Sequence, residues 1–321
     1  MAGIGTKDKV VGLGIVLVFL TALVSGVSNF VNFWVAKNVN VNSDAFVVAR
    51  NVVVALLLVP LALLARRDVR ARLRRADWAK LATIGLVGGA IPFLLFFRGI
   101  QMAAGAASAT FGYRTLFLMA TVLGVVVLKE RLSRWTLLAA GLLLVGNALL
   151  LTLTGPVWTD GTLLVLLATG LWATEYTLSK KALRDLPSRT VALGRMGFGG
   201  AFLLAYVLAS GQIGSLAGFP LEQLQWMALS AILLVAFVTT WYAGLKHVDL
   251  STASAVLVLG FPITWALEVV AGRRPFTIPQ AAGAVAVVLG VALAAGVLSV
   301  RETFEAAGRA VLAGIRRATG R

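Results

Sequence analysis

The sequence contains no cysteine and a single histidine, His247. Without cysteine, the chain has no means of forming disulfide bonds, thiolate-ligated metal sites or haem–thiolate sites. One histidine is too few for a multi-histidine metal centre. No phosphate-cradling glycine-rich loop is present, which argues against ATP as a direct driver. We therefore expect no catalytic residues, no metal and no cofactor.

Charge is also scarce, because charged residues make up 13% of the chain and hydrophobic residues 59%. A soluble domain usually carries about 25% charged residues. Apolar stretches of about 18 residues or more recur along the sequence, which is typical of membrane-spanning helices. The first apolar run begins at Val10 and is too long for a cleavable signal peptide. The composition predicts an integral membrane protein.

The charges that are present are mostly positive, with 29 Lys and Arg against 13 Asp and Glu. Such an excess also occurs in nucleic-acid-binding proteins. Here, however, most of the cations lie in short loops on one side of the alternating apolar runs, as the positive-inside rule requires. We therefore expect no nucleic-acid partner, and a multi-pass protein of the cell membrane with both termini in the cytoplasm.

Ten apolar segments are long enough to cross a bilayer, and each must be helical because lipid offers no partner for free backbone groups. They lie at about residues 10–36, 44–65, 78–99, 105–128, 134–154, 160–180, 188–209, 224–245, 250–271 and 276–298. Residues 1–9 precede them. A tail at 299–321 follows, with apolar residues on one helical stripe, and is either an amphipathic interfacial helix or disordered.

The two halves of the chain resemble each other at an offset of about 145 residues. Arg50 recurs as Arg195, Gly99 as Gly244, and the small-residue cluster at 106–109 recurs at 251–254. The repeats are expected at 10–154 and 155–298. Five helices per repeat is an odd number, so the second copy should insert upside down. An inverted repeat predicts a pseudo-twofold axis in the membrane plane and a site near mid-bilayer.

Three motifs carry a family resemblance. They are SNFVNFWVAKN in the first segment, an arginine early in the second, and KERLS at 129–133, within a charged turn that we define as Lys129–Arg134. With ten spans in two halves, the chain resembles EamA-domain proteins of the drug/metabolite transporter superfamily. The resemblance implies an all-α fold of two inverted five-helix repeats (5+5). It also implies transport of small metabolites by alternating access, often export of amino acids.

The resemblance has departures. Phe117 stands where such proteins often have the proline seen here as Pro262, and Arg274-Pro275 stands where a glutamate would be expected.

Polar and aromatic residues inside the spans are candidates for a substrate cavity, because polar groups in lipid are costly and usually face a cavity or each other. Aromatic residues at helical spacing also serve packing or the interfacial belt, so both roles stay open. The candidates are Asn29, Asn32, Arg98, Tyr113, Arg114, Trp172, Tyr176, Trp241 and Tyr242.

Four charged residues are candidates for gating or coupling: Arg50, Glu175, Arg195 and Glu268. The repeat is expected to place Arg50 and Arg195 at opposite membrane faces. A lone carboxylate in a span should be neutral or paired. We expect Glu175 to pair with Arg195, and Glu268 to pair with Arg98 or Arg114. Static pairing, gating and proton coupling are all compatible with these residues.

Arg114 has no charged counterpart in the second half, where Leu259 stands. Fold symmetry therefore does not explain it, and it is the residue expected to report on substrate. Extra cations favour substrates with a carboxylate or phosphate. The charged turn, in contrast, is expected only to close a helix pair and set topology.

The preferred interpretation is an exporter of amino acids or related zwitterions, with organic or phosphorylated anions as the alternative. A membrane-embedded enzyme and a channel are the other classes considered. The expected partners are a small-molecule substrate and the lipid bilayer, and a monomer would suffice.

Overall fold

A computed structural model describes residues 6–39, 42–64, 73–103, 111–151 and 158–296. These residues form helices and connecting turns, and none of them is in a strand. The helices are α1 (Thr6–Asn38), α2 (Ser43–Leu64), α3 (Arg75–Ile84), α4 (Ile91–Met102), α5 (Leu116–Leu128), α6 (Arg134–Leu150), α7 (Asp160–Ala182), α8 (Ser188–Ala209), α9 (Leu221–Leu245), α10 (Leu250–Leu257), α11 (Gly260–Val270) and α12 (Ile278–Ala294). A π-helical segment, Gly85–Ala90, joins α3 to α4, and a 3₁₀ turn occupies Ile213–Leu216.

Seven helical stretches of the described residues are long and apolar enough to cross a membrane. They are Val10–Asn38, Ser43–Leu61, Arg75–Met102, Phe111–Leu128, Ser188–Ala209, Leu221–Leu245 and Leu250–Val270. Helices α6 and α12 are apolar but shorter. The all-α prediction is therefore confirmed, while the count of ten crossings stays a prediction. The predicted tail at 299–321 lies outside the described residues.

The helices pack in pairs, and each pair has an equivalent one repeat further along the chain. Helix α1 packs on α9, and α7 packs on α4. Shifting by one repeat converts the first pair into the second. Helix α2 packs on α8, and α6 on α12, and each of these pairs maps onto itself. This pattern is what a two-fold relation between halves produces, and the helices of the first half consequently interleave with those of the second.

Helices α6 and α12 approach so closely that their backbones touch. A Cβ atom on Gly146 would lie 2.7 Å from the Gly283 carbonyl oxygen, and one on Gly283 would lie 2.7 Å from the Gly146 oxygen. Small residues permit such contact between membrane helices, where packing rather than the hydrophobic effect drives association. This pair ties the last helix of each half together.

The periphery of the bundle is apolar. Large hydrophobic side chains such as Leu137, Val145 and Val285 are more than half exposed. In water such a surface would promote association, whereas in a bilayer the lipid tails cover it. Several buried polar side chains, among them Asn29, Arg50 and Arg195, line a cavity between the two halves.

Candidate functional site

A small cavity lies between the two halves, with about 50 Å³ of space for the centres of water-sized molecules. Its wall comes from α1, α2, α4, the residue Tyr113, α7, α8 and α9. The lining residues are Ser25, Ser28, Asn29, Asn32, Arg50, Phe93, Phe96, Phe97, Tyr113, Trp172, Tyr176, Arg195, Leu234 and Phe237. Two arginines and no Asp or Glu are among them, so the lining carries net positive charge.

Arg50 is held in place by its neighbours and is only 1% exposed. Its Nε and Nη2 donate to Asn51 Oδ1 at 3.2 and 3.0 Å, and its Nη1 donates to Ser230 Oγ at 3.3 Å. The guanidinium lies 4.8 Å from the ring centroid of Phe93 and 5.0 Å from that of Phe97. Rings at such distances attract a cation. A rigid, charged group is thus presented at the cavity wall without an acidic partner among these contacts.

Arg195 forms a buried ion pair with Glu175, as the sequence predicts. Its Nε lies 3.6 Å from Glu175 Oε2, and its Nη2 donates to the Gly88 carbonyl oxygen at 3.0 Å. The other carboxylate oxygen of Glu175 accepts from Ser179 Oγ and from Tyr242 Oη at 2.6 Å. Among the described residues, Arg195 Nε and Nη1 have no hydrogen-bond partner. Since Nε faces Glu175, Nη1 is the buried donor of Arg195 that lacks a partner, on a side chain that lines the cavity.

The π-helical segment Gly85–Ala90 supplies the backbone acceptors of this site. Its three glycines lower helix propensity, and its wider turn frees carbonyl oxygens from the helix ladder. The Gly88 oxygen accepts from Arg195 and from Trp172 Nε1, and the Gly89 oxygen accepts from Asn51 Nδ2 at 3.0 Å. A Cβ on Gly88 would lie 2.2 Å from Glu175 Cγ, so only glycine fits there.

Aromatic rings form the rest of the wall. Trp172 contacts Phe93, Phe96 and Tyr113 with ring centroids 5.4, 5.1 and 5.7 Å apart, all edge-to-face. Phe93, Phe96 and Phe97 lie on one face of α4 at the i, i+3, i+4 spacing. The cavity therefore pairs a charged end with an apolar, aromatic body.

The candidate residues of the sequence divide into two groups. Asn29, Asn32, Tyr113, Trp172 and Tyr176 line the cavity. Trp241 is buried behind this wall, with its ring centroid 4.5 Å from that of Tyr176, and Tyr242 binds Glu175. Arg98 and Arg114 are not in the lining. The lining residues that the sequence did not single out are Ser25, Ser28, Phe93, Phe96, Phe97, Leu234 and Phe237.

The predicted pairing of Glu268 is wrong. Glu268 Oε2 accepts from Arg274 Nη1 at 3.2 Å, six residues on. Arg98 pairs instead with Asp44 and Tyr206. Arg274 lies just beyond the end of α11 and reaches back to Glu268, whereas Arg98 of α4 reaches Asp44 at the start of α2 and Tyr206 in α8.

Arg114 faces away from the cavity. Its Nη1 donates to Asn147 Oδ1 at 3.2 Å, and its guanidinium lies 4.7 Å from the ring centroid of Phe261. Its neighbour Tyr113 takes the position at the cavity wall. Because adjacent helical residues point about 100° apart, only one of the two can face the site.

The expectation that Arg50 and Arg195 lie at opposite membrane faces stays a prediction, but their side chains converge. Both line the same cavity, and both approach the ring of Phe93, at 4.8 and 5.8 Å. The reason is that α2 and α8 pack on each other. The two arginines, which occupy equivalent positions in the two repeats, therefore face one site.

Within the described residues, no three His, Asp or Glu side chains lie together where they could hold a metal ion.

Comparison with known proteins points in one direction. The model of the EamA-like transporter family matches the chain twice, at residues 12–152 and 159–296. No curated protein sequence matches it. Among solved structures, 28 chains match. One crystal structure, described only as that of a protein, has a TM-score of 0.70 at 17% identity, over 90% of this chain and 98% of its own. That likeness concerns the fold.

Proposed function

Because the chain belongs to the EamA-like transporter family, we propose that it is a secondary transporter of small metabolites that carry a carboxylate, amino acids first among them. Transport would proceed by alternating access, and export is the preferred direction. The observation that carries the proposal is the pair Arg50 and Arg195 in one cavity whose lining has no acidic residue.

Arg195 is the primary anchor in this proposal. Its Nη1 has no hydrogen-bond partner among the described residues and can donate to a carboxylate, whereas its Nε faces Glu175. Arg50 adds positive charge across the ring of Phe93. A buried cation with unused donors gains most when an anion completes its hydrogen bonds, so substrate would stabilise the site as well as bind to it.

The rest of an amino acid also has partners in the cavity. The amide oxygens of Asn29 and Asn32 and the faces of the aromatic rings are acceptors for an ammonium group. The Phe93, Phe96 and Trp172 rings offer an apolar surface to a side chain. The site is thus suited to a zwitterion with an apolar body.

The alternative substrate class is organic or phosphorylated anions. One observation favours it: Glu175 does not line the cavity and is already bonded to Ser179 and Tyr242, so no free carboxylate awaits an ammonium group. The same arginines would hold a phosphate.

A membrane-embedded enzyme or a channel is not proposed. The cavity lining holds no nucleophile paired with a general base, and its polar groups form a pocket rather than rings along a pore.

A ligand panel tests the proposal. Purified protein would be heated in detergent with amino acids, with matching carboxylates that lack the amine, and with sugar phosphates. We expect an upward shift of the unfolding midpoint for the true class, since a ligand that binds only the folded state stabilises it. Arg195→Gln and Arg50→Gln should each weaken binding by about 10-fold or more.

Arg189→Gln is the matched control, because Arg189 lies on the same helix as Arg195 but is exposed and outside this cavity. Its ligand shift should equal that of the parent. A panel without any shift, or a shift that persists in both cavity variants, would contradict the proposal.

Coupling to protons through Glu175 or Glu268 is the second part of the proposal. A substrate carboxylate on Arg195 would compete with Glu175 for that cation. Transport into proteoliposomes at a fixed pH gradient should lose its pH dependence in Glu175→Gln. If Glu175→Gln and Glu268→Gln both transport with unchanged pH dependence, proton coupling through these residues is ruled out.

We also propose that the protein lies in the cytoplasmic membrane with its termini and the charged turn in the cytoplasm. The asymmetry of Lys and Arg between loops supports this orientation. A single chain contains the whole cavity, so a monomer would suffice for transport.

A further inference from the structure

Glu130, in the charged turn, binds the other half of the protein. Helix α5 ends at Leu128. The next residue, Lys129, has a left-handed backbone with φ 61°, and the chain reverses direction there. The Glu130 carboxylate accepts hydrogen bonds from the backbone N–H groups of Leu250 at 2.6 Å and Ser251 at 2.9 Å. These N–H groups are at the start of α10. One side chain thus joins two segments that are 120 residues apart in the chain.

This contact satisfies a specific need of α10. The first N–H groups of a helix have no intrahelical partner and carry partial positive charge. The preceding residue, Asp249, makes no side-chain cap bond to this helix, so Glu130 provides the acceptor. Gly124 of α5 leaves room for the Glu130 carboxylate, because a Cβ on Gly124 would lie 2.8 Å from Glu130 Oε2.

Lys180 binds the connection between α9 and α10, on the N-terminal side of α10. Its Nζ donates to the carbonyl oxygens of Leu245 at 2.7 Å and Val248 at 2.6 Å, just before α10 begins. The connection from α9 to α10 is therefore fixed by a cation on its free carbonyls and an anion on its free N–H groups. Lys180 comes from α7 and Glu130 from the charged turn.

The two ends of the bundle share the lysine contact but differ at the position of Glu130. At the far end, Lys37 makes the counterpart contact, donating to the carbonyl oxygens of Gln101 at 3.3 Å and Ala103 at 3.0 Å. One repeat after Glu130, however, the residue is Pro275, which has no carboxylate. The lysine contact is duplicated, whereas Pro275 has no side chain that could repeat the glutamate contact.

Two helices also cross tightly toward the charged-turn end. Between the cavity and that end, α1 and α9 cross in backbone contact. A Cβ on Gly14 would lie 2.7 Å from His247 Cβ, and one on Gly244 would lie 2.6 Å from Val18 Cγ2. Val18 is fully buried in this crossing. No water-filled route to the cavity passes through such a contact.

We propose that the Glu130 contact with α10 is a gating contact that keeps the charged-turn end closed, and that it breaks each time this end opens. Glu130 is a positioning residue, acting through the placement of α10 beside α1. The inference rests on the proposed alternating-access function, but not on the identity of the substrate. Loss of the contact shifts the population toward the state open at the charged-turn end.

The absence of native cysteine makes a direct test possible. A single Val18→Cys substitution places a smaller, reactive side chain in the closed crossing. The full-length protein in lipid nanodiscs would be treated with a water-soluble maleimide, and the labelling rate measured. With Glu130 present, labelling should be slow, because it requires the end to open.

Adding Glu130→Gln should raise the labelling rate at position 18 by about 5- to 30-fold, the effect of losing one well-placed charged contact. Glu130→Asp keeps the charge and should recover part of the protection. The control Glu222→Gln, an exposed acid in the first turn of α9, should leave the rate unchanged.

A second reporter separates gating from general loosening. Leu143→Cys, buried between α6 and α12, should stay protected in the Glu130→Gln background. An unchanged rate at position 18, or equal gains at positions 18 and 143, would overturn the proposal. Because no substrate is added, a negative ligand panel and a negative labelling result identify different failures.

Discussion

Glu175 Oε2 lies 3.6 Å from Arg195 Nε, and both side chains are almost completely buried, at 0% and 2% exposure. Each is the nearest opposite charge of the other. Arg195 also lines the cavity, whereas Glu175 lies behind it. The same guanidinium therefore completes an ion pair on one side and faces the proposed substrate on the other. Changes to either residue should affect stability and binding together.

Replacing Glu175 with glutamine should destabilise the protein by about 3–5 kcal/mol, because it leaves Arg195 as an uncompensated buried charge. Denaturant titration of the purified protein in detergent would measure the loss in the free energy of unfolding. Glu222→Gln changes the same group at an exposed position and should cost less than about 0.5 kcal/mol. Equal costs for the two variants would mean that the pair does not stabilise the fold.

The α6–α12 contact predicts opposite effects for two glycines on one helix. Gly146→Ala should destabilise by about 1–3 kcal/mol, since its Cβ would meet backbone atoms of α12 at 2.7 to 2.9 Å. Gly141→Ala meets nothing within 4 Å and should stabilise by about 0.5–1 kcal/mol through higher helix propensity. Thermal unfolding of both variants would check the signs, and a stabilising Gly146→Ala would refute the close contact.

The left-handed backbone at Lys129 predicts a stabilising substitution. A side chain at φ 61° is strained relative to glycine, so Lys129→Gly should raise the free energy of unfolding by up to about 1 kcal/mol. Lys129→Ala removes the same charge but keeps the Cβ, and should not stabilise. If alanine and glycine give the same gain, charge rather than backbone strain is the cause.

His247, in the turn between α9 and α10, predicts a pH dependence. Burial, with the cations Lys246 and Lys180 nearby, lowers the pKa of His247 from its ordinary value of 6.5. The folded state thus prefers the neutral ring. Its contribution to stability is complete above about pH 6.5 and is lost as the pH falls through the lowered pKa of the folded state.

The unfolding midpoint should therefore fall on acidification from about pH 8 to pH 5, and less so in His247→Gln, which does not titrate. The difference between the two curves isolates this residue from other titrating groups. Parallel curves would show that His247 has the same pKa in the folded and unfolded states.

Sequence periodicity and charge were sufficient for much of the fold. All ten apolar segments contain helix in the described residues, and the halves match one family model twice. The Glu175–Arg195 pair followed from the cost of an unpaired carboxylate in a span. Such inferences succeed because length, burial cost and repeat offset are properties of the chain itself.

Inferences about which way a residue points were less successful. Depth along a helix follows from residue number, but the direction of a side chain around the helix depends on neighbours that the sequence does not identify. Arg114 and Tyr113 have the same depth, yet only Tyr113 reaches the cavity. Glu130 was expected only to close a local helix pair, since nothing in its surroundings in the sequence indicates α10 as its partner.

The π-helical segment before α4 has a mechanical consequence. Successive residues of an α-helix are rotated by about 100° around its axis. A change of this wide turn into an ordinary α-helical turn would therefore twist α4 by about one residue step, without tilting or translating the helix far. Phe93, Phe96 and Phe97 lie on one face, so all three rings would rotate out of the wall together. A change in the hydrogen-bond register of six residues would in this way move the aromatic part of the cavity wall.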